Sequence, residues 1–142
     1  MSEKVLLVDD EKDFLEAMSE RLRARDMDVT TASSASEAFE KMENEPFDAI
    51  ILDFQMPEMD GMEALRSIKA KRPESQIILL TGYATLEKGI EAMKIGATDF
   101  LEKPADLEVL SQKIKQAKAE KMVIVEKQQE QKVIDAIKKY GV

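Results

Sequence analysis

Cysteine and histidine are both absent from the 142 residues. Their absence removes thiol nucleophiles, disulfides, imidazole bases and the usual zinc ligands together. Any acid–base or metal chemistry must therefore run on carboxylates, Lys, Thr or Tyr. Positive charge is also in deficit: 21 Lys and Arg stand against 29 Asp and Glu, for a formal net charge of −8. That balance argues against a nucleic-acid surface, which needs clustered Lys and Arg. No apolar run approaches the roughly 20 residues that span a bilayer. Residues 1–8 lack the basic start and long apolar stretch of a signal peptide, so the expectation is a soluble, cytoplasmic protein. Neither a Walker A sequence nor GxGxxG occurs.

What is present is enough for one domain with a real core: 44% of residues are hydrophobic. Apolar runs of strand length recur at Val5–Val8, Ala49–Leu52 and Ile77–Leu80, with weaker ones at Asp28–Thr31 and Thr98–Leu101. Near-continuous apolar runs suit parallel strands covered on both faces. Helical spacing lies between them, in Phe14, Leu15, Met18 and Leu22, then Ala38, Phe39 and Met42, then Met62, Leu65 and Ile68. Met18, Met42, Met62 and Met93 are expected in the core. Ser34 with Glu37 reads as a capping box for the second helix. Thr85 and Gly96 bracket the fourth, and Asp106 caps the fifth after Pro104. Five βα units in about 118 residues predict a doubly wound α/β domain with right-handed crossovers.

Composition changes near residue 118. Residues 119–142 hold five Lys against four acids, a net of +1, which leaves −9 on the first 118. The expected division is a domain over 1–118 and a helical tail or linker over 119–142. That tail either continues the fifth helix or follows a break near its Gln-rich middle. Its apolar positions, Met122–Val125, Val133, Ile134, Ile137 and Tyr140, predict pairing with a second copy, although Lys121 and Gln128 interrupt a strict heptad.

In such sheets, ligands bind beyond the carboxyl ends of the strands. The first strand ends in Asp9, Asp10 and Glu11, the third in Asp53, the fourth in Thr81-Gly82 and the fifth in Lys103. Parallel strands bring Asp9, Asp10, Asp53, Thr81 and Lys103 to one edge. Carboxylates held close repel unless a cation joins them, and hard oxygen ligands suit Mg²⁺. A carboxylate is then the available nucleophile, as in aspartyl-phosphate chemistry, with Lys and Thr holding phosphoryl oxygens and Gly82 leaving room for the group to enter. Taken singly, Asp9 or Asp10 could instead cap the first helix.

Four stretches, VLLVDDE, ILDFQMPEMDGME, LLTGYA and GATDFLEKP, resemble the receiver domain of two-component response regulators over about residues 3–118. The style of LLTGYATLEKGIEAMKIGATDFLEKP is similar to receivers that precede ATPase-type transcription activators. The resemblance implies a flavodoxin-like strand order 2-1-3-4-5 and a switch phosphorylated by a sensor histidine kinase or phosphotransfer protein. It implies that Asp53 is the phosphoacceptor, that Asp10 binds Mg²⁺ directly and Asp9 mainly through water, and that Asp53 and the Gln55 carbonyl complete the protein's ligands. Thr81 and Lys103 would contact the phosphoryl oxygens, Phe100 matches the switch aromatic, and Gln55 and Tyr83 would tune phosphoryl lifetime. The Lys103–Pro104 peptide is often cis in this family. Ala105 stands where many relatives have Phe. Such a protein assists its own phosphorylation and dephosphorylation but turns over no separate substrate, and acts on a downstream protein or output domain. No output domain fits in the 24 or so remaining residues, so a stand-alone receiver or the N-terminal part of a longer regulator is expected. A phosphatase of the haloacid dehalogenase type would want an acid at Gln55, and a flavodoxin-like cofactor binder would not place three acids after its first strand.

Overall fold

The computed structural model describes residues 2–54, 56, 60–82 and 85–140. Five strands alternate with five helices: β1 (Lys4–Val8), α1 (Lys12–Arg23), β2 (Asp28–Ala32), α2 (Ala35–Asn44), β3 (Ala49–Asp53), α3 (Gly61–Lys71), β4 (Ile77–Thr81), α4 (Leu86–Ile95), β5 (Asp99–Glu102) and α5 (Leu107–Lys139). All strand pairs are parallel and the order is β2-β1-β3-β4-β5, as the family resemblance implies.

The continuous apolar runs are explained by two cores, one on each face. Leu6, Val8, Ile50, Leu52, Ile77 and Leu79 point to the face covered by α2, α3 and α4. The alternate residues Val5, Leu7, Ala49, Ile51, Ile78 and Leu80 meet α1 and α5. Strand side chains alternate with period two, so a run buried on both faces must be apolar at every position. Each such Leu or Ile contributes about 1.5–3 kcal/mol through burial.

Local signals set the helix ends. Ser34 accepts from the Glu37 N–H, but the Glu37 carboxylate reaches the N–H and hydroxyl of Ser33 rather than Ser34, so the capping box is displaced by one residue. Thr85 accepts from the Lys88 N–H and Asp106 from the Val109 N–H. Gly96 closes α4 with φ of 120°, a region that favours glycine. Asp60 caps α3 by accepting from the Glu63 N–H, a role not anticipated from the sequence.

Three of the four methionines expected in the core are buried, but Met93 is not: it is 50% exposed. The reason is α4 itself, whose only buried residue is Ala92, so the stripe Leu86, Ile90, Met93 faces outward. The tail does not break. α5 continues through the Gln-rich middle to Lys139 as one helix of 33 residues, which agrees with the high helix propensity of its Lys, Gln, Glu and Ala. Leu110, Ile114 and Ala117 anchor its root in the core, and Lys121 Nζ donates to the Phe47 carbonyl at 2.6 Å. Residues 126–140 are exposed throughout. Among the described residues no helix is long and apolar enough to cross a membrane.

Candidate phosphoacceptor site

Parallel register gathers the strand ends. Val8 lies beside Leu52, Asp53 beside Leu80, and Thr81 beside Glu102. The residues that follow or end these strands therefore share one edge. Asp9 is 1% exposed, Asp53 6% and Thr81 1%, whereas Asp10 faces solvent. Carboxylate oxygens of Asp9, Asp10 and Asp53 all lie within 4.8 Å of one another. Two of the three are buried, so their mutual repulsion is poorly screened by water. A set of oxygen-only donors this close suits a hard divalent cation that keeps several waters, such as Mg²⁺.

Asp9 does not act as a side-chain cap of the kind its position allowed. Glu11 is the residue at the start of α1 and makes no side-chain cap bond; Asp9 Oδ1 instead accepts from the Glu11 N–H at 2.9 Å, which holds its carboxylate toward the cluster. Lys103 is brought in by the β4–β5 pairing, its N–H donating to the Thr81 carbonyl at 2.7 Å. Its ammonium lies 2.6 Å from Asp9 Oδ2 and 3.6 Å from Asp53 Oδ1, and 4.4 Å from the centre of the Phe14 ring. The Lys103–Pro104 peptide is cis. Ala105 packs with Leu107 against the α1–α5 core.

Burial draws the Lys103 ammonium toward deprotonation, but the hydrogen bond to Asp9 and the negative charges of Asp53, Asp9 and Glu11 outweigh it, and its pKa lies above the ordinary lysine value. The stability this pairing contributes is present below the unfolded-state value of about 10.4 and is lost as pH rises through the raised folded value. Without added metal, Lys103→Met should be less stable than wild type at pH 8 by about 1.5–3 kcal/mol, the scale of a hydrogen bond to a charged group. Urea unfolding at pH 8 and pH 11 checks this: the gap should narrow at pH 11, and a gap independent of pH would contradict the assignment.

The sequence-derived set is thus largely brought together. Asp9, Asp10, Asp53 and Lys103 form one cluster, and Thr81 is buried at the end of the adjoining strand. A Cβ on Gly82 would meet nothing within 4 Å, so no contact there demands glycine. Phe100 is part-buried and packs against the Phe54 ring, centroids 6.0 Å apart and planes at 86°. Gln55 and Tyr83 lie outside the described residues. Two neighbours escaped the sequence reading. Phe14 enters that reading only as one position of the first helix's spacing, and Phe54 is hidden inside the acidic motif, where strand alternation past Asp53 is the signal that finds it.

Residues 5–115 match the response regulator receiver domain family, and the chain belongs to it: a phosphoacceptor signalling module of two-component regulators. Relatives include the response regulator protein PilR of Pseudomonas aeruginosa, 36% identical over 74% of this chain and 24% of PilR. The transcriptional regulatory protein ZraR of Escherichia coli is 35% identical over 81% of this chain and 26% of ZraR. The chain spans about a quarter of the length of these two relatives. Among solved structures, a receiver domain protein from Clostridium thermocellum superposes with a TM-score of 0.82 at 35% identity, covering 87% of this chain and 99% of that one. The beryllofluoride-activated NtrC4 receiver domain dimer does so at 0.78 and 36%, covering 83% and 98%.

Proposed function

We propose that Asp53 accepts a phosphoryl group from the phosphohistidine of a sensor histidine kinase or phosphotransfer protein, as one step of a phosphorelay in the cytoplasm. The convergence of Asp9, Asp10 and Asp53 with the Lys103 ammonium carries this reading. An Asp53 oxygen attacks phosphorus, the phosphorus–nitrogen bond breaks, the imidazole leaves with a proton, and an acyl phosphate remains. Asp10 directly, Asp9 through water, Asp53, and the Gln55 carbonyl would hold Mg²⁺, which offsets charge on the transferring group. Lys103 and Thr81 hold the phosphoryl oxygens, while Gln55 and Tyr83 set how readily water reaches the acyl phosphate. The protein in this way assists its own phosphorylation and dephosphorylation.

The consequence is a two-state switch. Thr81 moves toward the new phosphoryl group and Phe100 turns inward, which changes the surface of α4 and β5 read by a downstream protein or output domain. Residues 1–118 form the receiver and 119–142 a helical tail or linker. That tail pairs with a second copy, in keeping with its exposed apolar positions.

Mg²⁺ should bind weakly, because it retains waters and few protein ligands. Asp10→Ala removes one of three mutually repelling charges and should fold normally, yet lose Mg²⁺-dependent spectral changes and most phosphoryl uptake from a small acyl phosphate donor. Uptake by wild type that persists undiminished in chelator, or Mg²⁺ binding by Asp10→Ala equal to wild type, would overturn the metal-assisted mechanism.

A further inference from the structure

Phe54 follows Asp53 directly and turns to the opposite face, into the core under α3 and α4. Its main chain is held on both sides. The Phe54 N–H donates to the Leu80 carbonyl and its carbonyl accepts from the Gly61 N–H, each at 2.7 Å. A Cβ on Gly61 would stand 2.7 Å from Phe54 Cα, so only glycine lets α3 begin this close. With the backbone clamped to β4 and α3, what remains adjustable is the surroundings of the ring.

Those surroundings belong to α4. The Lys88 ammonium sits 5.2 Å from the centre of the Phe54 ring. Phe100 meets the same ring edge to face, and a Cβ on Gly89 would lie 3.4 Å from Phe100 Cδ1. Two consecutive residues of α4, Lys88 and Gly89, thus rest on two touching rings. Because Ala92 is the only residue α4 buries, this aromatic pair is a main part of its seating.

We infer that Phe54 is a positioning residue that joins the phosphoacceptor to α4: its ring carries Lys88 and Phe100, and a phosphoryl group on Asp53 reseats both. The inference rests on Asp53 being the phosphoacceptor. A phosphoryl group brings about −1.5 to −2 charge to the residue covalently next to Phe54. That charge competes for the Lys88 ammonium with the ring face, one of the contacts it makes, because cation–π attraction is weaker than attraction to an anion. As the ammonium leaves the ring, Gly89 loses its place on Phe100 and the first turns of α4 shift.

The test uses the full chain with acetyl phosphate and Mg²⁺, reading phosphoryl uptake by intact mass and the amide shifts of Gly89 and Ile90. Phe54→Leu should keep uptake within twofold of wild type while the α4 shifts fall at least twofold. Phe54→Trp, which restores an aromatic face, should recover them, and Lys88→Met should reduce them as Phe54→Leu does. Full α4 shifts in Phe54→Leu with normal uptake would overturn the inference. If Phe54→Leu does not fold, Lys88→Met decides by the same criterion. Failure of wild type to take up phosphate is a separate outcome, and sinks the phosphoacceptor reading itself.

Discussion

A small acyl phosphate donor with Mg²⁺ should add one phosphoryl group to the wild-type protein and none to Asp53→Asn. The carboxamide is neutral and a poor nucleophile, so it cannot attack phosphorus, and it holds a metal less strongly than the carboxylate does. The remaining acids do not substitute for it. Asp9 is committed to the Lys103 ammonium and the Glu11 N–H, and Asp10 is exposed at the rim of the cluster. Folding should survive, because the substitution removes one of three carboxylates that crowd within 4.8 Å. Without metal the variant should be as stable as wild type or more so, as relief of like-charge repulsion requires. Intact mass gives the count, and the adduct should be stable to acid and labile to base. Undiminished labelling of Asp53→Asn would rule out the assignment.

Deleting residues 119–142 should convert a concentration-dependent dimer into a monomer that still folds and takes up phosphate. The outer apolar side chains of the tail are exposed, Val133 by 59%, Ile134 43%, Ile137 48% and Tyr140 71%, whereas Ile124 and Val125 nearer its root are half-buried. They recur at helical spacing along one unbroken helix, and a patch of this kind usually marks a contact. Folding back onto its own domain, the competing arrangement for such a helix, is not seen among the described residues: every residue from Glu126 to Tyr140 is exposed. The deletion leaves Leu110, Ile114 and Ala117 in place, so the receiver keeps its second core. Sedimentation of both forms decides the matter. A full-length monomer at high concentration, or an equally dimeric truncation, would refute tail-mediated pairing.

The sheet was legible because burial on both faces forces every strand position to be apolar. β1, β3 and β4 emerge within a residue of their observed limits for this reason. β5 is less clear, since its four residues are only partly buried or exposed and the pattern is correspondingly weak. Caps at Ser34, Thr85 and Asp106 were readable as short-range chemistry, while Asp60 was masked by its place in the motif around Asp53. The acids and Lys103 could be assigned to one edge from parallel topology alone. That Lys103 spends its ammonium chiefly on Asp9 could not, because the choice between two nearby carboxylates depends on ångström-scale placement. Met93 went astray because spacing reports a stripe but not whether anything covers it. The Lys121 contact to Phe47, 74 positions apart, leaves no local trace in the chain.

The unbroken α5 has a mechanical consequence. At 1.5 Å per residue it is a rod about 50 Å long, of which about 30 Å extends past residue 118. Its bearing is the set Leu110, Ile114 and Ala117, and the Lys121–Phe47 bond ties the shaft to the segment leading into β3, the strand that ends in Asp53. A tilt of about 5° at that bearing carries the far end about 3 Å for a rod of this length. Displacements too small to disturb the core thereby become ångström-scale movements at the tip.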